Sequence, residues 1–132
     1  MIAVDSSALL AVMLREPDGD LFRDALVRAN GEAIASVAQI LEVSIRLLHR
    51  FGEAGEAMLP ALLGELKVGI ADIDAEHLHE ARAAYRRFGK GRHPAGLNFG
   101  DCFAYALSKT NNWPLLFKGD DFAKTDIEAA KV

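Results

Sequence analysis

Residues 1–17, MIAVDSSALLAVMLREP, decide the fold class. Ile2-Ala3-Val4 is short, wholly apolar and without alternation, as a strand covered on both faces should be. It stops at Asp5. Ser6 or Ser7 is placed to cap a helix built on Ala8, Leu9, Leu10, Val12 and Leu14. A strand that passes straight into a helix is the opening of an α/β arrangement, and the same alternation recurs outward from here.

Pro17 suits the first turn of a second helix, with Asp18 and Asp20 at its positive end. Its apolar positions are Leu21, Phe22, Ala25 and Leu26, and Asn30-Gly31 stops it. Residues 32–35 form a second strand. Ser36 caps a long helix that Gly52 closes. Gly55 and Pro60 make the next stretch a poorer helix. Residues 68–71 are a third strand, and Asp74 caps a helix through Leu78, Ala81, Ala84 and Tyr85. A Gly, Pro and basic loop fills 89–96. Asn98 caps a further helix with Phe99, Phe103, Ala106 and Leu107 on one face, ended by Asn111-Asn112. Leu115-Leu116-Phe117 is a fourth strand, Gly119-Asp120-Asp121 a turn, and Ile127 the centre of a short last strand. The expected architecture is a single domain over residues 1–132, α/β in class. It has three α/β/α layers around a short-stranded, mainly parallel central sheet.

Composition agrees. A chain of 132 residues, 51% hydrophobic and 26% charged, is globular and large enough for its own core. The one cysteine, Cys102, cannot make an internal disulfide, so a stapled secreted scaffold is excluded and a small packed thiol is expected. No apolar run has the length of a membrane span. The first residues lack a basic n-region and carry Asp5, so no signal peptide is expected and the cytoplasm is the expected location.

The net charge of −4 argues weakly against a nucleic-acid partner, but its distribution argues otherwise. Arg82, Arg86, Arg87, Lys90 and Arg92 fall in a stretch with no acid, and His93 adds a donor. One basic face can hold a polyanion while acids elsewhere serve another purpose. The bland alternative is a solvated helix and loop.

The acids themselves are placed suggestively. Ligands of open α/β sheets bind beyond the carboxyl ends of the strands. Asp5 ends the first strand, Asp120 and Asp121 follow the fourth, and Asp101 opens a helix. Glu42 is the only charge between Ala33 and Ile45, and a carboxylate among apolar neighbours is costly unless paired, protonated or bound to metal. Each has an ordinary reading as a cap, a dipole partner, a solvated face or a turn. Together they form a candidate oxygen-ligand site for a hard cation, Mg²⁺ or Mn²⁺. There is no phosphate-binding glycine loop, no dinucleotide fingerprint and no zinc pattern, and His49, His77, His79 and His93 are scattered.

Four segments carry a family resemblance: residues 4–18, VDSSALLAVMLREPD; 40–47, ILEVSIRL; 84–109, AYRRFGKGRHPAGLNFGDCFAYALSK; and 114–127, PLLFKGDDFAKTDI. The chain resembles the PIN-domain ribonucleases, and within them the VapC-type toxins of bacterial VapBC toxin–antitoxin pairs. The resemblance implies metal-dependent endonucleolytic cleavage of structured RNA such as tRNA or rRNA. It implies catalytic and metal-binding roles for Asp5, Glu42, Asp101 and one acid of Asp120-Asp121, with Asp121 favoured. Ser7 matches the family's hydroxyl residue after the first Asp, and Thr125 and Asp126 match its ending. Ser6 stands where the family often has Thr. Arg82 to His93 would hold the RNA backbone. A cognate VapB-type antitoxin and homodimerisation are also implied.

Two other readings remain open at this point. One is a non-catalytic PIN fold that binds RNA or an antitoxin peptide. The other is a phospho-acceptor receiver domain, for which Asp72 and Asp74 follow the third strand but Asp5 lacks an acidic neighbour.

Overall fold

The computed structural model describes residues 1–132. Four strands, β1 (Ile2–Val4), β2 (Ala33–Ser36), β3 (Val68–Ala71) and β4 (Leu115–Leu116), form one sheet in the order β3-β2-β1-β4. Every pairing is parallel. Six helices accompany it: α1 (Ser6–Met13), α2 (Gly19–Ala29), α3 (Val37–Glu56), α4 (Leu59–Glu65), α5 (Ala75–Phe88) and α6 (Phe99–Asn111). No helix is long and apolar enough to cross a membrane.

β1, β2 and β4 are covered on both faces and need only a few residues to span the core, whereas the edge strand β3 leaves Ile70 exposed. Successive side chains point to opposite faces. Val4 and Leu116 therefore join one core, with Leu9, Leu26, Val43, Leu47 and Leu63 from α1 to α4. Ala3 and Leu115 join the other, with Ala84, Phe88, Tyr105 and Leu107 from α5 and α6. These are the three expected layers.

β1 lies inside the sheet. β2 and β3 extend from one side of it and β4 lies on the other. The chain thus reverses its direction of winding between β1 and β4, the place where open α/β sheets bind ligands.

Several boundaries differ from expectation. Asp5 itself, not Ser6 or Ser7, caps α1, its carboxylate accepting the Ser7 N–H. Gly52 breaks α3 at φ 71°, but a further turn resumes to Glu56. Phe117 falls outside β4, and the last sheet contact is made by Ala129, not Ile127. There the Glu128 carbonyl accepts from Leu115 N–H and the Ala130 N–H donates to Leu115. Phe99 does not lie on the packed face of α6; it is 79% exposed, and Cys102, Tyr105 and Ala106 make the contact. Leu9 and Leu47 are core, while Leu48 is exposed.

Candidate active site

Asp5 is 3% exposed, at the carboxyl end of β1. Its backbone N–H donates to the Leu116 carbonyl at 2.9 Å, which ties it to the end of β4. Its Oδ2 accepts the Ser7 N–H at 3.0 Å and the Ser7 hydroxyl at 2.5 Å. Ser7 Oγ in turn accepts the Lys118 N–H at 3.0 Å, which directs the serine proton at Asp5. Oδ1 is buried with no partner. Burial pushes the Asp5 carboxyl up to about 7; the Ser7 hydrogen bonds oppose this, and the charges of Asp101 and Glu42 add to it.

Asp101 stands in the first turn of α6. Its carboxylate accepts the Asn98 N–H at 3.0 Å, and its own N–H donates to the Asn98 side chain at 2.9 Å, a reciprocal cap. Burial lifts its carboxyl to about 6, the Asn98 bond opposes, and the charges of Glu42 and Asp121 add. Glu42 projects from α3 against Gly100, where a Cβ would fall 2.5 Å from its Oε2.

Asp5 feels the charges of Asp101 and Glu42, and Asp101 those of Glu42 and Asp121, although the four come from β1, α3, α6 and the turn after β4. Asp120 and Asp121 are both exposed in the turn after β4, and of the two only Asp121 raises the Asp101 carboxyl through its charge. None of the four is paired with a basic side chain. As they stand, no three acid, histidine or cysteine side chains are gathered tightly enough to hold a metal ion. The Asp5 and Asp101 carboxylates follow their own hydrogen bonds to Ser7 and Asn98, and like charges repel. The donor set nonetheless fits a hard cation: all ligand atoms are carboxylate oxygens, and one of them is a buried oxygen without a partner.

The outlying residues have other work. Thr125 Oγ1 donates to the Phe122 carbonyl at 2.6 Å and accepts from Ile127 N–H, which shapes the turn. Asp126 accepts from Tyr105 at 2.8 Å and pairs with Lys109 at 2.8 Å and Arg87 at 3.4 Å, tying the C-terminal segment to α5 and α6. Arg87 shares its charge with Asp126 there while its side chain stays largely exposed. His93 Nδ1 accepts the Ala95 N–H and its ring meets Phe88 edge-on at 5.1 Å, so it also organises the loop. Arg82 and Lys90 line an apolar groove with Asn98 and Phe99, beside the start of α6. Arg86 and Arg92 lie on the outside, Arg92 Nε donating to the Arg86 carbonyl. Burial pushes the Cys102 thiol up to about 11, as befits a packed, unreactive side chain. Asp74 caps α5 on His77 at the edge strand of the sheet, away from a receiver-like acid pair.

The profile of the PIN domain family matches residues 2–128. The chain is 46% identical to Ribonuclease VapC of Mycolicibacterium smegmatis over 128 residues, 97% of this chain and 98% of that one. The chain belongs to the VapC family of PIN-domain proteins. Ribonuclease VapC30 of Mycobacterium tuberculosis is likewise 46% identical to this VapC-family chain, over 96% of it and 95% of its own length. The fold agrees with that of Mycobacterium tuberculosis VapC20, described as a sarcin-ricin loop cleaving toxin, at a TM-score of 0.81 and 15% identity over the whole of both chains. A toxin–antitoxin complex from Klebsiella pneumoniae gives 0.73 at 14%, again over the whole of both chains.

Two residues escaped the sequence reading. Gly100 is one, since only the approach of Glu42 shows why it has no side chain. Gly100→Ala should push the flexible Glu42 carboxylate aside without disturbing the backbone. Stability is expected to stay within about 1 kcal/mol of wild type, because alanine favours a helix. RNA cleavage should fall about ten-fold or more, as displaced reacting groups do. Thermal melting beside steady-state cleavage checks this; unchanged cleavage would separate Glu42's position from the chemistry. The other missed residue is Gln39, buried between α1 and α6.

Proposed function

We propose that this chain is a metal-dependent endoribonuclease acting in the cytoplasm as the toxin of a VapBC-type pair, with structured RNA such as tRNA or rRNA as substrate. The observation that carries the reading is Asp5. A carboxylate wholly inside a fold, with one oxygen unsatisfied and two more acids near enough to raise its pKa, is destabilising by itself. Such an arrangement makes physical sense as a site for a cation. Membership in a family whose curated members carry the name ribonuclease points the same way.

Asp5, Asp101, Glu42 and Asp121 would hold Mg²⁺ or Mn²⁺. When bound, the cation supplies Lewis-acid stabilisation of charge building on the phosphate and a lowered pKa for the attacking water. The chain's own contribution is orientation. Ser7 fixes one Asp5 oxygen and leaves the other without a partner. The Asn98 cap holds the Asp101 carboxylate at the mouth of α6. Arg82 and Lys90 would take the RNA backbone on the side of Asn98 and Phe99.

The decisive experiment is cleavage mapping of RNA with the purified chain, with Mn²⁺, with Mg²⁺ and with chelator. Cuts at discrete positions that require the cation are expected. Cleavage indifferent to the chelator would remove the cation from the mechanism, and no cleavage at all would leave the non-catalytic binding reading in its place. The Arg82→Ala, Lys90→Ala double variant should bind RNA more weakly and lower the salt slope of binding by about 0.7 per lost contact on single strands, with the cut sites unchanged. Parallel log–log slopes would return these residues to a solvated face.

An antitoxin segment of amphipathic character fits the groove lined by Met13, Leu14, Leu47, Phe51, Ala54 and Met58, between the ends of α1 and α3. Leu41, Ile45 and Leu48 repeat at helical spacing on the outer face of α3, all exposed, and supply a surface for homodimerisation. Sedimentation of the isolated chain, alone and with its antitoxin, tests both.

A further inference from the structure

We infer that Gln39 is a positioning residue that sets the spacing between the segments carrying Asp5, Glu42 and Asp101. Gln39 is fully buried in the first turn of α3. Its side-chain oxygen accepts the Ser6 N–H at 2.8 Å, and its side-chain nitrogen donates to the Gly100 carbonyl at 2.8 Å. Ser6 directly follows Asp5, and Gly100 directly precedes Asp101. One side chain on the helix of Glu42 thus joins the chain beside each of the other two acids.

A buried amide is costly unless both of its ends are satisfied, and here the two partners are those two backbone groups. A methionine would fill the same space. Only an amide accepts at one end and donates at the other, so it fixes two distances at once. Its own backbone is held by Ser36, whose Oγ accepts the Gln39 N–H at 3.4 Å. Glu42 follows on the same helix and leans on Gly100 at its Cα, while Gln39 holds Gly100 at its carbonyl. The hydrogen bond sets the distance from α3 to the α6 N-terminus, and the missing Cβ at Gly100 leaves room for the Glu42 carboxylate beside it. Groups that must share one cation are sensitive to such spacing, because ligands a fraction of an ångström out of place no longer act together.

The inference rests on the proposed nuclease reading, and the test separates the two. Gln39→Met is measured for Mn²⁺ affinity by titration of the chelator-treated chain, for kcat and KM in RNA cleavage, and for thermal stability. Leu26→Val, a core change in α2, is the control for lost stability alone. Gln39→Met is expected to weaken Mn²⁺ binding and lower kcat by about ten-fold each, with KM within about two-fold of wild type. The control should move stability only. Gln39→Asn keeps both polar atoms but is too short to bridge them, and should shift the same two quantities if the methionine variant does not fold. Wild-type Mn²⁺ affinity and kcat in folded Gln39 variants would overturn the inference. A wild-type chain that binds Mn²⁺ but cuts no RNA overturns the nuclease reading instead, and the Mn²⁺ comparison then still decides the role of Gln39. A wild-type chain that binds no Mn²⁺ removes both.

Discussion

Asp5→Asn is expected to leave the chain folded, more stable without metal, and without measurable RNA cleavage. Asparagine has the same shape, and its side-chain oxygen can keep both hydrogen bonds from Ser7. What it loses is the charge. That charge is buried, has an oxygen with no partner, and lies near Asp101 and Glu42. Removing it should lower kcat by roughly 10³-fold or more, the scale of a several-kcal/mol loss of cation-dependent stabilisation. The same removal should raise stability near pH 8 in chelator by about 2 kcal/mol, since a buried neutral amide costs less than a buried carboxylate. Cleavage assays and urea unfolding of one preparation read both effects. A variant that cuts normally would take Asp5 out of the mechanism. One that is less stable than wild type in chelator would show that the carboxylate is already compensated.

The wild-type chain, freed of metal, should lose stability as the pH rises from 5 to 8. Asp5 holds its proton up to about pH 7 in the fold, against an ordinary value of 3.8. Between those values the folded state binds more protons than the unfolded one, so unfolding becomes easier as protons are withdrawn. The difference corresponds to about 4 kcal/mol at most, fully expressed above pH 7 and absent below about pH 4. Asp101, lifted to about 6 mainly by burial, acts in the same direction over a lower window. Saturating Mn²⁺ should offset the loss, because a ligand of the folded state alone stabilises it. Urea midpoints at pH 5 and pH 8, with chelator and with Mn²⁺, make the comparison. Stability that rises with pH in chelator would contradict the buried-charge account. Asp5→Asn should remove most of the slope.

Much of the fold was legible because its signals are local. Ile2 to Val4, Ser36, Asp74 and Asn98 each announce an element boundary through the chemistry of the residue itself, as a buried strand or as a cap. The misplacements are local competitions that a sequence does not arbitrate. Asp5 outcompetes Ser6 and Ser7 for the cap of α1 because a carboxylate can accept two hydrogen bonds from Ser7 at once. Phe99 fits a helical apolar stripe by spacing, yet it is exposed, at the first residue of α6, where the helix packs through Cys102, Tyr105 and Ala106 instead.

The order of the strands was not legible. Alternating strands and helices specify a parallel sheet, but not that β4 would lie across β1 from β2. That placement brings the chain after β4 beside the end of β1, where the Lys118 N–H donates to Ser7. It also assigns Arg87 to Asp126 and leaves Arg82 and Lys90 beside Phe99. The sequence alone therefore determined the elements, the layers and which acids were candidates, because caps, turns and apolar runs act through neighbours in the chain. Tertiary structure alone decided which charges meet, which are already paired, and that Gln39 and Gly100 belong to the site. Those properties depend on distances between residues far apart in sequence, and such distances exist only once both faces of the sheet have been covered.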